Sequence, residues 1–197
     1  MSTDIHKERF LCFDLEMTGL SPRTDSIIEI GAVPLVGTKM DGEIFFTSIQ
    51  PYNNVNPDSK RIHGLDGDEL YRAPTAEIAF PHFFKMMEGK ILLGQSPEND
   101  LAFLQTAVKN IGANIPIDWA VDISKLFAFC FPDQNMFSLE AMGHRIGFHH
   151  GRTFHNALQD TMITAQVFGK IVPMLQQKGI STAEKLIAVG KVSVSRY

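Results

Sequence analysis

The alternation of apolar and polar residues changes its period part-way along the chain. Between residues 10 and 50, three short runs rich in β-branched and aromatic residues are separated by turn-forming segments at 19–25 and 37–42. These runs span residues 10–15, 27–36 and 43–50. Their close spacing predicts an antiparallel meander. Beyond a polar, Asn-containing loop at 51–57, apolar residues recur at intervals of three and four, which is typical of helices.

The second part of the pattern predicts mainly helices. Two further short apolar runs, 91–94 and 120–123, are typical of buried strands. Helices are predicted at 67–71, 75–87, 101–111, 124–130, 138–146, 156–175 and 182–189. The fold class is therefore α/β, with a mixed sheet of about five strands covered by helices. Because no linker or repeat marks a boundary, we expect one domain over residues 1–197, with a helical extension at 179–197.

Composition narrows the class of protein. The chain has 197 residues, of which 44% are hydrophobic and 20% charged, and its net charge is -4. These values exclude a disordered chain and a broadly basic surface, so any nucleic-acid contact should be confined to a small area. Cys12 and Cys130 lie in apolar stretches, which favours buried thiols in a reducing compartment. The polar start of the chain and the lack of apolar runs near the roughly 20 residues of a membrane span predict a cytoplasmic protein.

Asp14 and Glu16 are the first candidates for chemistry. They lie two residues apart near the end of the first predicted strand, so their carboxylates point to the same face of the sheet. Two such acids repel each other unless one is protonated or a divalent cation lies between them. Oxygen ligands of this kind suit Mg²⁺ or Mn²⁺. A strand end with both acids in water is the structural alternative.

Two later segments contain further candidates. Asp100 follows the strand predicted at 91–94 and begins a helix, where an acid is also favoured simply as an N-terminal cap. Asp160 lies in the first turns of a long helix, five residues after His155. On one helix these two side chains would be about 140° apart, so they converge only if His155 lies on the preceding loop. Taken alone, each motif is more typical of a structural residue.

The order of these residues along the chain resembles a known family. Segments 14–19, 99–104 and 155–160 are similar to the three motifs of the DEDDh 3'-to-5' exonucleases, a DnaQ-like family with a ribonuclease H-like fold. The resemblance covers about residues 10–168 and includes connecting features at 28–31, 62–65, 72–74, 122 and 138–141. It implies a ribonuclease H-like mixed sheet flanked by helices and a metal-dependent phosphodiester hydrolase.

The same resemblance implies a role for each candidate. Two divalent ions, Mg²⁺ or Mn²⁺, would be held by Asp14, Glu16, Asp100 and Asp160. Asp14 would lie between the two ions. His155 would be the general base that takes a proton from the attacking water, a role that suits a histidine near neutral pH.

A second group of residues is implied as substrate contacts. The terminal sugar and base would be held by Met17, Thr18, Gly19, Leu20 and His63. Gly19 would let the backbone approach closely, and Leu20 would wedge against the terminal base. The structural alternatives are that Leu20 covers the core and that His63 orders its own turn. The partner that the resemblance implies is the 3' end of single-stranded DNA or RNA.

The second motif departs from a common pattern of the family. Gln95 and Ser96 stand in place of a His-Asn pair, and Asn99 stands in place of an aromatic residue before the acid. The acid is retained, but the groups that orient it differ. The first motif, with Leu15 and Met17, resembles the oligoribonuclease branch, whereas the later motifs are more similar to stand-alone DnaQ-type enzymes. Preference for DNA or RNA, and a role in proofreading, RNA processing or oligonucleotide scavenging, therefore stay open.

Two other functions match parts of the pattern. An accessory binding module of a polymerase or repair complex would keep the fold, but it has no need for acids that repel phosphate. Residues 14–18 also loosely resemble the Asp-x-Asp-x-Thr motif of haloacid-dehalogenase-type phosphatases, but the later acid pair of those enzymes is missing. The exonuclease hypothesis explains more of the residues. A homodimer and a polymerase partner both stay open, and no membrane partner is indicated.

Overall fold

The computed structural model describes residues 3–52, 67–148 and 156–194. Its strands are β1 (Arg9–Met17), β2 (Ile27–Val36), β3 (Lys39–Met40), β4 (Phe45–Ser48), β5 (Ile91–Gly94), β6 (Trp119–Asp122) and β7 (Lys191–Ser193). Its helices are α1 (Gly67–Leu70), α2 (Ala76–Met87), α3 (Glu98–Asn110), α4 (Ile123–Cys130), α5 (Leu139–Arg145), α6 (Ala157–Gln177) and α7 (Ala183–Gly190). A short 3-10 helix, Ile5–Lys7, precedes β1.

All described strands join one mixed sheet. The sheet has seven strands in the order β3-β2-β1-β5-β6-β7, and β4 also pairs with β2. The predicted antiparallel meander is present, because β1 pairs antiparallel with β2 and β2 with β4. Strand β1 is parallel to β5, and β5 is parallel to β6. The α/β class with a mixed sheet is confirmed, whereas the predicted number of strands was too low.

The two additional strands are too short to give a sequence pattern. Strand β3 forms a tight hairpin with β2, in which Val36 faces Lys39 across Gly37, whose φ is +58°. It lies inside the segment predicted as a turn. Strand β7 pairs antiparallel with β6 and buries only Val192. The extension predicted as helical is therefore helical only as far as Gly190, after which it adds an edge strand to the sheet.

Alternation along β1 divides the core into two layers. Phe10 and Cys12 pack in the layer that contains residues of α4, α6 and α7. Leu11, Phe13 and Leu15 pack in the other layer, with residues of α2 and α3. Since successive side chains alternate between the faces, the even-numbered positions that follow Cys12 also point toward α6. This alternation places both acids of the first motif on the α6 side of the sheet.

The two cysteines behave as the apolar stretches around them predict. Cys12 and Cys130 are both buried and unbridged. Burial raises the pKa of both thiols above the ordinary value, which keeps them protonated and unreactive near neutral pH. Among the described residues, we find no helix of the length and apolar character required to cross a membrane.

Candidate functional site

Asp14 and Glu16 lie near the end of β1, on the side of the sheet that faces α6. Glu16 is nearly buried, with 9% of its surface exposed, and Asp14 is partly buried. The register between β1 and β2 shifts between Glu16 and Met17, so the regular ladder ends directly after the second acid. The strand therefore presents both carboxylates where the chain is about to leave the sheet.

Helix α6 brings Asp160 to the same place. Asn156 is its N-cap, and Asp160 lies buried in the first turn. This turn presses closely on β2: a Cβ atom on Gly31 would collide with the carbonyl oxygen of Ala157. The Thr161 hydroxyl lies 3.1 Å from the carbonyl oxygen of Gly31 and 2.6 Å from that of Ala157. Because Gly31 has no side chain, the start of α6 can pack directly against the backbone of β2.

Asp14, Glu16 and Asp160 form one acidic cluster. One carboxylate oxygen of each residue lies within 4.8 Å of the corresponding oxygens of the other two. Carboxylate oxygens are the hard donors that Mg²⁺ and Mn²⁺ prefer, and a dication between them offsets their mutual repulsion. The donor set therefore fits a divalent metal. Three of the four acids that the resemblance implied as ligands are brought together by this arrangement.

Asp100 approaches the first motif from α3. The parallel pairing of β1 with β5 ends at Cys12 and Leu93, so β1 extends beyond β5. Helix α3 begins next to this free stretch, and the backbone N–H of Leu15 donates a hydrogen bond to the Asp100 carboxyl. Burial raises the pKa of Asp100 from 3.8 to about 7, although that hydrogen bond acts in the opposite direction. Asp100 thus lies beside the first motif but outside the cluster of three acids.

Gln95 and Ser96, the residues that depart from the family pattern, connect the start of α3 to neighbouring elements. Gln95 Nε2 donates to the carbonyl of Phe137 at 3.2 Å. The backbone N–H of Ser96 donates to Asp122 Oδ1 at 3.0 Å, and Ser96 has a left-handed φ of +49°. The same Asp122 oxygen caps α4 by accepting the N–H of Ser124 at 2.8 Å. Asp122 therefore fixes the entry into α3, and with it the approach of Asp100.

The loop after the first motif is closed at its base and exposed at its tip. The backbone N–H of Thr18 donates to the Ser26 carbonyl, and the N–H of Ser26 donates to the Thr18 hydroxyl, each at 2.9 Å. The Thr18 side chain is buried, and its hydroxyl group accepts the hydrogen bond that closes the base of the loop. Gly19 passes so close to the Asp25 carboxylate that a Cβ atom would collide with it. Leu20 is 87% exposed, so the alternative in which it covers the core is wrong.

Of the remaining predicted site residues, the structure describes Met17 but not His63 or His155. Met17 is half-buried and packs against the core layer that contains α2 and α3. His63 and His155 lie outside the residues that the structure describes. Helix α6 begins at Ala157 with Asn156 as its N-cap.

Sequence reasoning missed Glu29 as a residue of this site. Glu29 lies directly opposite Glu16 in the β1–β2 ladder and is 2% exposed. Its Oε2 accepts hydrogen bonds from Asn156 Nδ2 at 3.2 Å and from the N–H of Ala157 at 3.4 Å. Burial raises the pKa of Glu29, the hydrogen bond from Ala157 lowers it, and nearby Glu69 raises it further. An acid inside the otherwise apolar run 27–36 was the available signal.

Comparison with known proteins points to one group of enzymes. A family model described as an exonuclease, RNase T, matches residues 11–168. A DNA polymerase III subunit epsilon-like protein of Rhodobacter capsulatus is 33% identical over 183 residues, which cover 91% of this chain and 26% of that protein. DNA polymerase III subunit epsilon of Pasteurella multocida is 29% identical over 169 residues, covering 81% of this chain and 66% of that subunit. The chain thus spans about a quarter of the first relative.

A solved structure shares the fold. Escherichia coli exonuclease I in complex with a dT13 oligonucleotide superposes with a TM-score of 0.78 and 16% sequence identity. The match covers 87% of this chain and 42% of the exonuclease I chain. This agreement confirms the ribonuclease H-like arrangement of sheet and helices that the motifs implied.

Proposed function

The chain belongs to the RNase T exonuclease family, of the DEDDh type, and from this premise we propose that it removes nucleotides from the 3' ends of nucleic acids. The substrates are single-stranded or frayed ends of DNA or RNA, and the products are nucleoside 5'-monophosphates. One observation carries the proposal: Asp14, Glu16 and Asp160, from a strand and a distant helix, converge with ligand oxygens within 4.8 Å. A protein that only bound nucleic acid would gain nothing from acids that repel phosphate.

The proposed reaction assigns a task to each part of the site. The residues that would hold two divalent ions, Mg²⁺ or Mn²⁺, are the three clustered acids together with Asp100 beside Leu15. When bound, such ions stabilise the charge on the attacking and leaving oxygens of a phosphodiester. His155, which directly precedes the N-cap of α6 in the sequence, accepts the proton of the attacking water. The exposed Leu20 contacts the terminal base.

Electrostatics makes the proposed activity depend strictly on metal. Without cations, the cluster of three carboxylates repels the phosphate of an incoming strand. With dications in place, the same position attracts it. We therefore expect activity with Mg²⁺ or Mn²⁺ and none in the presence of a chelator.

A degradation assay tests the proposal. Matched DNA and RNA oligomers, labelled at the 5' end, are incubated with Mg²⁺ and the wild type, Asp14→Asn or Asp41→Asn. Asp41 is an exposed acid that is not in the cluster, so its variant controls for the loss of one charge. We expect stepwise shortening from the 3' end by the wild type and the control, and loss of more than about 100-fold in rate with Asp14→Asn. Intact oligomers with the wild type, or full activity in Asp14→Asn, would overturn the proposal.

Association with a polymerase is a second, compatible proposal. It is favoured by the two relatives, which are described as a subunit epsilon and an epsilon-like protein of DNA polymerase III. In this role the chain would trim mismatched 3' ends within a polymerase complex. Co-purification of the chain with a DNA polymerase III from its own cells tests it. Recovery of a free chain under conditions that preserve the polymerase complex would count against this role and leave the exonuclease proposal intact.

A further inference from the structure

Glu29 is a buried acid whose hydrogen bonds lead to the start of α6. It is 2% exposed, and the two donors that reach its Oε2 are the side chain of Asn156 and the backbone N–H of Ala157. Both donors are neutral, so neither neutralises the carboxylate by forming an ion pair. Burying an ionised carboxylate without a counter-ion is costly, and these two hydrogen bonds offset part of that cost. The contact joins the middle of the sheet to the N-terminus of the helix that contains Asp160.

The interaction is electrostatically favourable at that end of the helix. Helix α6 runs from Ala157 to Gln177, and its first backbone N–H groups point out of the N-terminus toward β2. Partial positive charge collects there, so a hydrogen-bond acceptor such as the Glu29 oxygen is favoured at this position. Glu29 satisfies the N–H of Ala157, while Asn156, which donates to Glu29, also caps the helix through Gln159. The residue thus holds both the first helical residue and the N-cap.

Only a short path separates this contact from the acidic cluster. The N–H of Asp160 donates to the carbonyl of Asn156 at 3.0 Å, so the residue held by Glu29 is hydrogen-bonded to the residue that supplies a ligand oxygen. On the other strand, Glu29 faces Glu16 directly. Glu29 therefore connects two parts of the site. It pairs with β1, which contains Asp14 and Glu16, and it is hydrogen-bonded to the first turn of α6, which contains Asp160.

We propose that Glu29 is a positioning residue: it fixes the start of α6 on β2, and so sets the distance of Asp160 from Asp14 and Glu16. The inference rests on the proposed function and deepens it by naming a residue that acts through others. Glu29 acts through the reach of its carboxyl oxygen, and its negative charge is secondary.

Two conservative substitutions separate reach from charge. Glu29→Gln keeps the length of the side chain and an acceptor oxygen but removes the charge. Glu29→Asp keeps the charge but withdraws the carboxylate by one methylene from Asn156 and Ala157. Asp4→Ala is the control, because Asp4 also accepts a backbone N–H at a helix start, that of His6 at 2.8 Å, and precedes the other end of β1.

Four quantities are measured on each full-length variant. They are kcat and KM for a labelled oligomer, the affinity for Mn²⁺ without nucleic acid, and hydrogen exchange of the amides in the first turn of α6. We expect Glu29→Gln to keep kcat and Mn²⁺ affinity within about 3-fold of the wild type. We expect Glu29→Asp to lower kcat by about 10- to 100-fold, with little change in KM, to weaken Mn²⁺ binding and to speed exchange in that turn. Asp4→Ala should match the wild type.

The opposite results would overturn the proposal. If Glu29→Gln is inactive while Glu29→Asp is active, the charge acts directly. If both variants have wild-type kcat and exchange, Glu29 contributes only to stability. Should Glu29→Asp not fold, loss of activity in Glu29→Gln would still contradict a role through reach. If the wild type degrades no oligomer at all, the proposed function fails, whereas Mn²⁺ affinity and hydrogen exchange still test the positioning role.

Discussion

Glu16 of β1 and Glu29 of β2 face each other directly in the antiparallel ladder, and 9% and 2% of their surfaces are exposed. Like charges in such a pair destabilise a sheet. The two carboxylates serve different elements: Glu16 belongs to the acidic cluster, and Glu29 holds the start of α6. The pair therefore links the acidic cluster at the end of β1 to the start of α6.

Divalent metal should stabilise the wild type but not a variant of the cluster. A ligand at 100 times its Kd stabilises a protein by about 2.7 kcal/mol if it binds only the folded state. We expect Mg²⁺ at that excess to raise the unfolding free energy of the wild type and of Asp41→Asn by about this amount. Asp160→Asn, which replaces one carboxylate oxygen with an amide nitrogen and removes one negative charge from the cluster, should lose most of the gain. Urea unfolding with Mg²⁺ and with chelator measures it; equal stabilisation of Asp160→Asn would place the metal elsewhere.

Packing of α6 on β2 should be sensitive to one methyl group. In Gly31→Ala, the new Cβ would collide with the backbone at Ala157 and push the start of the helix away. We expect a loss of about 1–3 kcal/mol in unfolding free energy, as for overpacked cores, and a marked loss of nuclease rate at temperatures where the variant is folded.

Gly169→Ala is the matched control within the same helix. Its Cβ would meet Thr38 only at 3.9 Å, an ordinary van der Waals distance. Replacing an interior helical glycine with alanine should stabilise the protein by about 0.5–1 kcal/mol and leave the rate unchanged. Thermal unfolding and the oligomer assay distinguish the two variants. A Gly31→Ala protein as stable and active as Gly169→Ala would contradict the close packing of α6 on β2.

In the metal-free protein, the stabilisation that Asp100 contributes should fall as pH rises toward neutrality. Burial raises the pKa of Asp100 from 3.8 to about 7, so the folded state holds this proton more tightly than the unfolded state. The resulting stabilisation is complete below pH 4 and is lost between pH 4 and 7, with a slope of at most about 1.4 kcal/mol per pH unit.

Asp100→Asn isolates this contribution because it does not titrate. In chelator, the unfolding free energy of the variant relative to the wild type should rise from pH 4 to 7 and level off above pH 7. Saturating Mg²⁺ should flatten the dependence, because a nearby cation favours the ionised carboxylate. A pH-independent difference between the two proteins in chelator would contradict the raised pKa.

Leu20 should affect substrate affinity without affecting stability. It is 87% exposed at the tip of the loop that follows the first motif, so its truncation removes little buried surface. We expect Leu20→Ala to change the unfolding free energy by less than about 0.5 kcal/mol and to raise KM for oligomers. Met136→Ala, at another exposed apolar residue, is the control and should leave KM unchanged. Equal KM values for wild type and Leu20→Ala would exclude Leu20 as a contact of the terminal base.

Most of the fold could be predicted from local sequence. Strand β2 is a long, continuously buried apolar run, and α2 is amphipathic with a helical period, so both give a clear sequence signal. Their predicted ranges agree with the structure to within a few residues. Strands β3 and β7 have two and three residues, so no period could show. Their pairing depends on tertiary neighbours, Leu35 and Val36 for β3 and the residues of β6 for β7.

The site residues that lie within a short sequence motif could be predicted from the sequence. Asp14 and Glu16 follow from a spacing of two on a strand, and Asp160 followed from its place in a family motif. Glu29 could not be assigned in this way, because its partners Asn156 and Ala157 are far away along the chain. The role of Asp122 likewise depends on a contact between separate elements, here with Ser96. Contacts of this kind, between residues far apart in the sequence, depend on the topology of the fold. The spacing of apolar residues along the sequence gives no information about them.

The most direct test of the metal site is the anomalous diffraction of crystals grown with Mn²⁺. We expect a peak between Asp14, Glu16 and Asp160, with carboxylate oxygens of all three at about 2 Å from a manganese ion. Asp160→Asn crystals treated in the same way should show a weaker peak or none. A wild-type crystal with Mn²⁺ bound only elsewhere, or with these three side chains turned away from one another, would contradict it.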